Sequence, residues 1–186
     1  MQIQIDSKII DQFVKSARDT KATVEIIPCD AQYLNEALIS SSGNNMVLFS
    51  EPDDLETELF SLFKLNDNVI TEPTNEQLSK IKMGVTDAFC AVASTGSVCV
   101  SVTKNLSTHA SMLTQKHIVI VDGKTIVQRP RDIFFDCYLG GKGLKRSFSI
   151  ITGPSATADM GPLVRGVHGP RELHIIILDL PAGQVG

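Results

Sequence analysis

The sequence predicts an α/β protein, with a mixed, mainly parallel sheet flanked by helices and an antiparallel hairpin set into it. Three observations predict this. Short apolar runs alternate with helical periodicity through residues 6–70. Two strand-like runs, 88–93 and 98–102, are separated only by Ser94-Thr95-Gly96-Ser97, which reads as a hairpin turn. A nearly all-apolar run, His117-Ile118-Val119-Ile120-Val121, suits a strand buried on both faces.

Taken in order, residues 6–19 predict a helix with Ile9, Ile10, Phe13, Val14 and Ala17 on one face and Asp6 or Ser7 as its cap. Thr23 to Ile27 is a strand stopped by Pro28. Asp30 opens a second helix that turns Tyr33, Leu34, Ala37 and Leu38 inward, followed by a loop over 41–45 and a short strand, Met46 to Phe49. Ser50 can cap a third helix, with Pro52 and four acids in its first turn, burying Leu55, Leu59, Phe60 and Phe63. Val69-Ile70 is a further strand, and Thr86-Asp87, just upstream of the hairpin, could equally be the turn before a strand. Asp122-Gly123 ends the central strand. A helix is predicted after Pro130, through Ile133, Phe134, Cys137 and Tyr138, stopped by Gly140-Gly141. A glycine-rich basic connector runs to Arg146, and 147–152 and 174–178 are the last two strands. Residues 1–180 form a single α/β domain, and 181–186 are a loose tail without periodicity.

The composition excludes several classes. The 186 residues suffice for one core, and 42% hydrophobic with 20% charged residues describes a globular chain. A net charge of −4 argues against a nucleic-acid partner. No segment approaches a membrane span, and the N-terminus lacks the basic start and apolar stretch of a signal peptide, so the cytoplasm is the expected address. Cysteines at 29, 90, 99 and 137 form no C-x-x-C pair and read as small buried hydrophobes in a reducing compartment. His109 and His117 have no evident metal-ligand partners, so no metal site is expected. His174, inside a strand, reads as structural.

Two loops in the last third carry the chemistry. Gly153-Pro154-Ser155-Ala156-Thr157-Ala158-Asp159 directly follows a strand. Its hydroxyls and amides suit either an oxygen-rich ligand or the capping of a turn. It is not a P-loop, which would end in Gly-Lys-Ser/Thr, and Gly140-Gly141-Lys142-Gly143 fails the same test. Gly166-Val167-His168-Gly169-Pro170 places an imidazole between small neighbours, where it can transfer protons or hold a turn. Arg171 can clamp a carboxylate. No Ser-His-Asp order or G-x-S-x-G elbow identifies a nucleophile.

Gly84-Val85-Thr86-Asp87-Ala88, Ala93-Ser94-Thr95-Gly96-Ser97, His117-Ile118-Val119 and the two loops, in this order, resemble the LUD domain, the lactate-utilisation protein C family. The resemblance implies a fold similar to the ribose-phosphate isomerase, glucosamine-phosphate deaminase and CoA-transferase group. It also implies a role in oxidising L-lactate to pyruvate beside two iron–sulfur partner proteins, with the clusters in the partners and no cofactor in this chain. Relatives often carry Glu where Ser94 stands, and another Glu near Met160-Gly161-Pro162. Serine cannot form the acyl anhydride of a CoA-transferase glutamate.

The expected ligand is therefore a small carboxylate. Thr95, Gly96 and Ser97 would hold one side of it, with Gly153, Ser155, Thr157, Asp159, Gly166, His168, Gly169 and Arg171 on the other. His168 is the candidate catalytic residue, although a ligand-binding or accessory role is favoured over independent catalysis. The alternatives are a stand-alone enzyme acting on a phosphorylated or CoA-linked small metabolite, and an assembly scaffold with an unused pocket.

Overall fold

Parallel strands with apolar side chains on both faces need cover on both sides, and the topology provides it. In the computed structural model, residues 7–102, 105–135, 147–157, 164–166 and 168–179 are described. The helices are α1 (Ser7–Asp19), α2 (Ala31–Ser42), α3 (Asn75–Lys80) and α4 (Asn105–Thr108). The first strands are β1 (Thr23–Pro28), β2 (Val47–Phe49), β3 (Val69–Ile70), β4 (Met83–Ala88), β5 (Cys90–Val92) and β6 (Ser97–Ser101). They are followed by β7 (Lys116–Asp122), β8 (Ile126–Val127), β9 (Phe148–Thr152), β10 (Ala156–Thr157), β11 (Val164–Arg165) and β12 (Glu172–Asp179).

Six strands form the main sheet in the order β1-β12-β7-β4-β2-β3, every neighbouring pair parallel. The expected hairpin belongs to a second sheet, β8-β5-β6-β9, in which β6 is antiparallel to both β5 and β9. The chain changes sheets at Phe89, whose N–H donates to the Cys99 carbonyl. Thr86 and Asp87 therefore lie inside β4, buried, and do not form a turn.

Period-two alternation sorts the central strands between two cores. Val119, Val121, Leu173, Ile175 and Ile177 meet α1 (through Ile10, Phe13 and Ala17) and the inner face of the second sheet. Ile118, Ile120, Ile176 and Leu178 meet Leu34 and Leu38 of α2, with Phe49, Phe60 and Phe63. Phe49 packs edge-on to Phe63 with ring centroids 5.9 Å apart. Asp30 caps α2 by accepting from the amides of Gln32 and Tyr33. Tyr33 itself is 53% exposed, because the buried stripe runs through Leu34, Ala37 and Leu38 and leaves it on the flank.

Two further expectations are corrected. The helix after Ser50 is absent: Thr57–Phe60 and Phe63–Leu65 are short 3₁₀ turns. Asp87 Oδ2 accepts from the amides of Asp53, Asp54 and Leu55 at 3.0, 2.7 and 3.1 Å, so a neighbouring strand supplies the capping oxygen. The Ser50 hydroxyl instead meets Ser107 Oγ at 2.9 Å. After Pro130 the chain makes one 3₁₀ turn, Pro130–Phe134, and leaves it in an extended conformation at Phe135. Cys137, Tyr138, the connector from Gly140 to Arg146 and the tail 181–186 lie outside the described residues.

One element has no sequence signature. His109–Leu113 continues α4 as a π-helical turn, with Ser111 Oγ donating to the Ser107 carbonyl. It rests on Gly84, where a Cβ would stand 2.1 Å from the Ala110 carbonyl oxygen. Cys90 and Cys99, opposite one another on β5 and β6, are buried, while Cys29 is exposed.

Candidate functional site

Where a parallel sheet begins, a strand can carry a polar residue that the middle of the sheet would not tolerate, because the next loop can partner it. His117 and Leu173, the second residues of β7 and β12, are paired in register with each other. The π-helical turn before β7 supplies Ser111 and Met112 beside them, and the segment before β12 supplies His168, Gly169 and Pro170. From the second sheet, the end of β9 adds Ile150 and Ile151, and the loop after it adds Gly153, Pro154 and Ser155. Together these residues line an open cavity of about 260 Å³. It lies at the amino-terminal edge of β7 and β12 and the carboxyl end of β9, whereas ligand crevices of open parallel sheets usually lie beyond the strands' carboxyl ends.

The two glycine-rich loops meet here. The Ser155 amide donates to the Pro170 carbonyl at 2.8 Å, and the Gly166 amide donates to the Ser155 carbonyl at 2.9 Å. Both backbone polar groups of Ser155 are thereby held by the second loop. A Cβ on Gly169 would lie 3.1 Å from Ser155 Cβ, so the two loops are in close contact. Gly153 takes φ 67°, and a Cβ there would stand 2.5 Å from the Thr20 carbonyl at the end of α1. Only glycine permits both the turn and the approach.

The hairpin turn approaches this region without lining the cavity. Gly96, at φ 66°, presses on the same end of α1, where a Cβ would stand 2.3 Å from the Ala17 amide nitrogen. A line of hydroxyls runs from Thr95 Oγ1 to Ser97 Oγ to Thr152 Oγ1, each step 2.7 Å, and stops one residue before Gly153. Thr95, Gly96 and Ser97 thus brace the cavity's wall from behind.

The other expected site residues divide. Gly153, Ser155, His168 and Gly169 line the cavity. Gly166 and Arg171 flank it: Gly166 takes φ 75° against the Arg171 side chain, and the Arg171 amide donates to the Gln115 carbonyl. Arg171 is exposed and follows directly on the lining residue Pro170. Thr157 lies on β10, its backbone paired with Val164 of β11. Asp159 and the segment Met160-Gly161-Pro162 lie outside the described residues.

His117 was missed as a site residue. It is completely buried on the face of β7 turned to α1, with Nε2 2.9 Å from Thr86 Oγ1. Burial pushes its pKa down to about 3, so the ring is neutral. Among the described residues Nδ1 has no hydrogen-bond partner. The available signal was a histidine leading directly into the apolar run Ile118 to Val121. His174 does not line the cavity; its Nδ1 is 2.7 Å from Thr23 Oγ1 and its Nε2 3.5 Å from the Glu25 carboxylate. Among the described residues, no three His, Cys, Asp or Glu side chains cluster as metal ligands, and no helix is long and apolar enough to cross a membrane.

Comparison with known proteins agrees with this architecture. The LUD domain description matches residues 10–178. Lactate utilization protein C of Halalkalibacterium halodurans is 25% identical, the match covering 95% of this chain and 80% of that protein. Lactate utilization protein C of Bacillus subtilis is 27% identical, over 86% of this chain and 75% of that protein. The crystal structure of a DUF162 family protein from Deinococcus radiodurans superposes with a TM-score of 0.67 at 19% identity, covering 93% of this chain and 98% of that one, which shows a shared fold. With a matching description that spans nearly the whole chain, this protein belongs to the LUD-domain family, with lactate utilization protein C among its relatives.

Proposed function

We propose that this protein is a component of a lactate-utilisation system and binds a small 2-hydroxy or 2-oxo acid, L-lactate or pyruvate, in the cavity between its two glycine-rich loops. The observation that carries this reading is the meeting of Ser155 and Gly169, each lining one cavity with His168, in a chain whose relatives bear the name lactate utilization protein C. The apolar walls, Ile150, Ile151, Met112 and Leu173, suit the short carbon chain. The Ser155 hydroxyl and the His168 imidazole suit its oxygens. Arg171, at the edge of the lining, can meet a carboxylate at the mouth.

The role is one of binding and orientation. Oxidising lactate removes two electrons, and hydroxyl, imidazole and guanidinium groups cannot accept them. Iron–sulfur clusters of two partner proteins would supply the acceptor for those electrons. His168, exposed at the mouth, is placed to take the hydroxyl proton, while the hydrogen on C2 would leave with the electron pair to the partners' acceptor.

The test is deletion of the gene followed by growth on L-lactate, with complementation by wild type and by a Ser155→Ala/His168→Ala double variant. Loss of growth restored only by wild type is expected. Normal growth of the deletion strain, in the absence of a duplicate gene, contradicts the assignment. Full rescue by the double variant would reduce the chain to a scaffold.

A further inference from the structure

We propose that His117 donates a hydrogen bond from Nδ1 to an acceptor oxygen of the cavity's ligand, and that Thr86 fixes the imidazole tautomer that makes this possible. The inference deepens the reading above and rests on it for the ligand's class, a small acid with a carbonyl or carboxylate oxygen.

Counting protons assigns the donor. The ring is neutral and carries one N–H, and Thr86 carries one O–H. Among the described residues, the Thr86 hydroxyl has no hydrogen-bond partner besides His117 Nε2, at 2.9 Å. If Nε2 were protonated it would donate to Oγ1, leaving both the threonine proton and the Nδ1 lone pair unused. If Nδ1 is protonated, the Thr86 hydroxyl donates to Nε2 and a single group, Nδ1–H, is left over. Buried polar groups are seldom left without partners, so the second arrangement is preferred. The leftover donor belongs to a residue of the cavity wall, completely buried, whose only unpartnered polar atom is Nδ1.

The strand register produces the pair. His117 lies directly opposite Gly84, and Thr86 is two residues further along β4 on the same face. The missing side chain at Gly84 leaves room for the π-helical turn that carries Ser111 and Met112 into the same wall. Gly84 and Thr86 therefore support, from β4, the lining residues Ser111, Met112 and His117. A neutral N–H donor selects an oxygen acceptor over a cation or an alkyl group.

The test is a nitrogen-15 spectrum of histidine-labelled protein, free and titrated with pyruvate, L-lactate and acetate. The free protein is expected to show His117 as the single Nδ1-protonated tautomer; an Nε2-protonated ring overturns the proposal. Pyruvate is expected to move the His117 Nδ1 and His168 signals together. Movement at His168 alone overturns the proposal and leaves the binding reading standing. If neither moves with pyruvate or lactate, that binding reading falls, and acetate decides the donor: movement at His117 supports it and none overturns it.

His117→Phe is expected to weaken acid binding about tenfold, the worth of one hydrogen bond, and His117→Asn to recover most of it with its amide near the Nδ1 position. Unchanged affinity in His117→Phe is contrary to the proposal. Should that variant not fold, Thr86→Val keeps the imidazole and the shape. It is expected to show mixed tautomers and weaker binding, and an unchanged single tautomer overturns the assignment.

Discussion

Acidification should destabilise this protein in good part through His117. Its pKa falls from 6.5 to about 3 in the folded protein, and burial is the cause. A depressed folded pKa means that the unfolded chain binds the proton first. Stability is therefore intact above about pH 6.5 and is lost as pH falls toward about 3. At about 1.4 kcal/mol per unit, the loss attributable to this ring reaches roughly 2 kcal/mol near pH 5 and about 5 kcal/mol below the folded pKa. Against a typical total of about 5–15 kcal/mol, that is a large share.

The assay is urea unfolding of wild type and His117→Asn from about pH 8 to about pH 4.5. His174, lowered mainly by burial and by Lys116 and raised by Glu25, contributes a slope of the same sign. Asp87, raised by burial against three amide hydrogen bonds, contributes the opposite sign. Both are common to the two proteins, so the difference between the curves isolates position 117. The variant is expected to lose roughly 2 kcal/mol less than wild type between about pH 7 and about pH 5. Parallel curves would refute the claim that a neutral, buried imidazole stands there.

Other substitutions probe the remaining supports. Gly84→Ala forces a Cβ to 2.1 Å from the Ala110 carbonyl; thermal unfolding should report a loss of at least about 1–3 kcal/mol. Asp87→Ala leaves the amides of residues 53–55 without their shared acceptor. It should cost about 3 kcal/mol or more, whereas Asp87→Asn, which keeps one oxygen, should cost less and remove the part of the pH dependence that lies above the ordinary carboxylate range. Gly96→Ala and Gly153→Ala each strain a left-handed turn against the last residues of α1. Their denaturation energies should be non-additive by about 0.5 kcal/mol or more, because both act on the same turn.

Periodicity made the framework legible. The i, i+3, i+4 spacing of Ile10, Phe13 and Ala17, and the unbroken apolar runs of β7 and β12, encode their environments locally. The hairpin was legible because a four-residue turn leaves no other pairing for β5 and β6. The glycine-rich loops were legible as loops, although their mutual contact is not written in either one alone.

The rest depends on partners distant in sequence. Ser50, Pro52 and the acids after them satisfy every local rule for a helix start. The structure differs because Asp87, more than thirty residues away, binds those amides first. His117 looked idle because its partner Thr86 becomes a neighbour only through the parallel β4–β7 register. The π-helical turn requires the absent side chain of Gly84. In each of these features local preference and tertiary need part company.

The central claim is that the cavity between the two glycine-rich loops holds a small acid. Backbone amide NMR of the purified protein titrated with pyruvate and with L-lactate tests it most directly. Saturable shifts centred on Ser111, Gly153, Ser155, His168 and Gly169, and weakened by Ser155→Ala, are the predicted result. Saturable shifts centred elsewhere, or no shift with either acid, would contradict it.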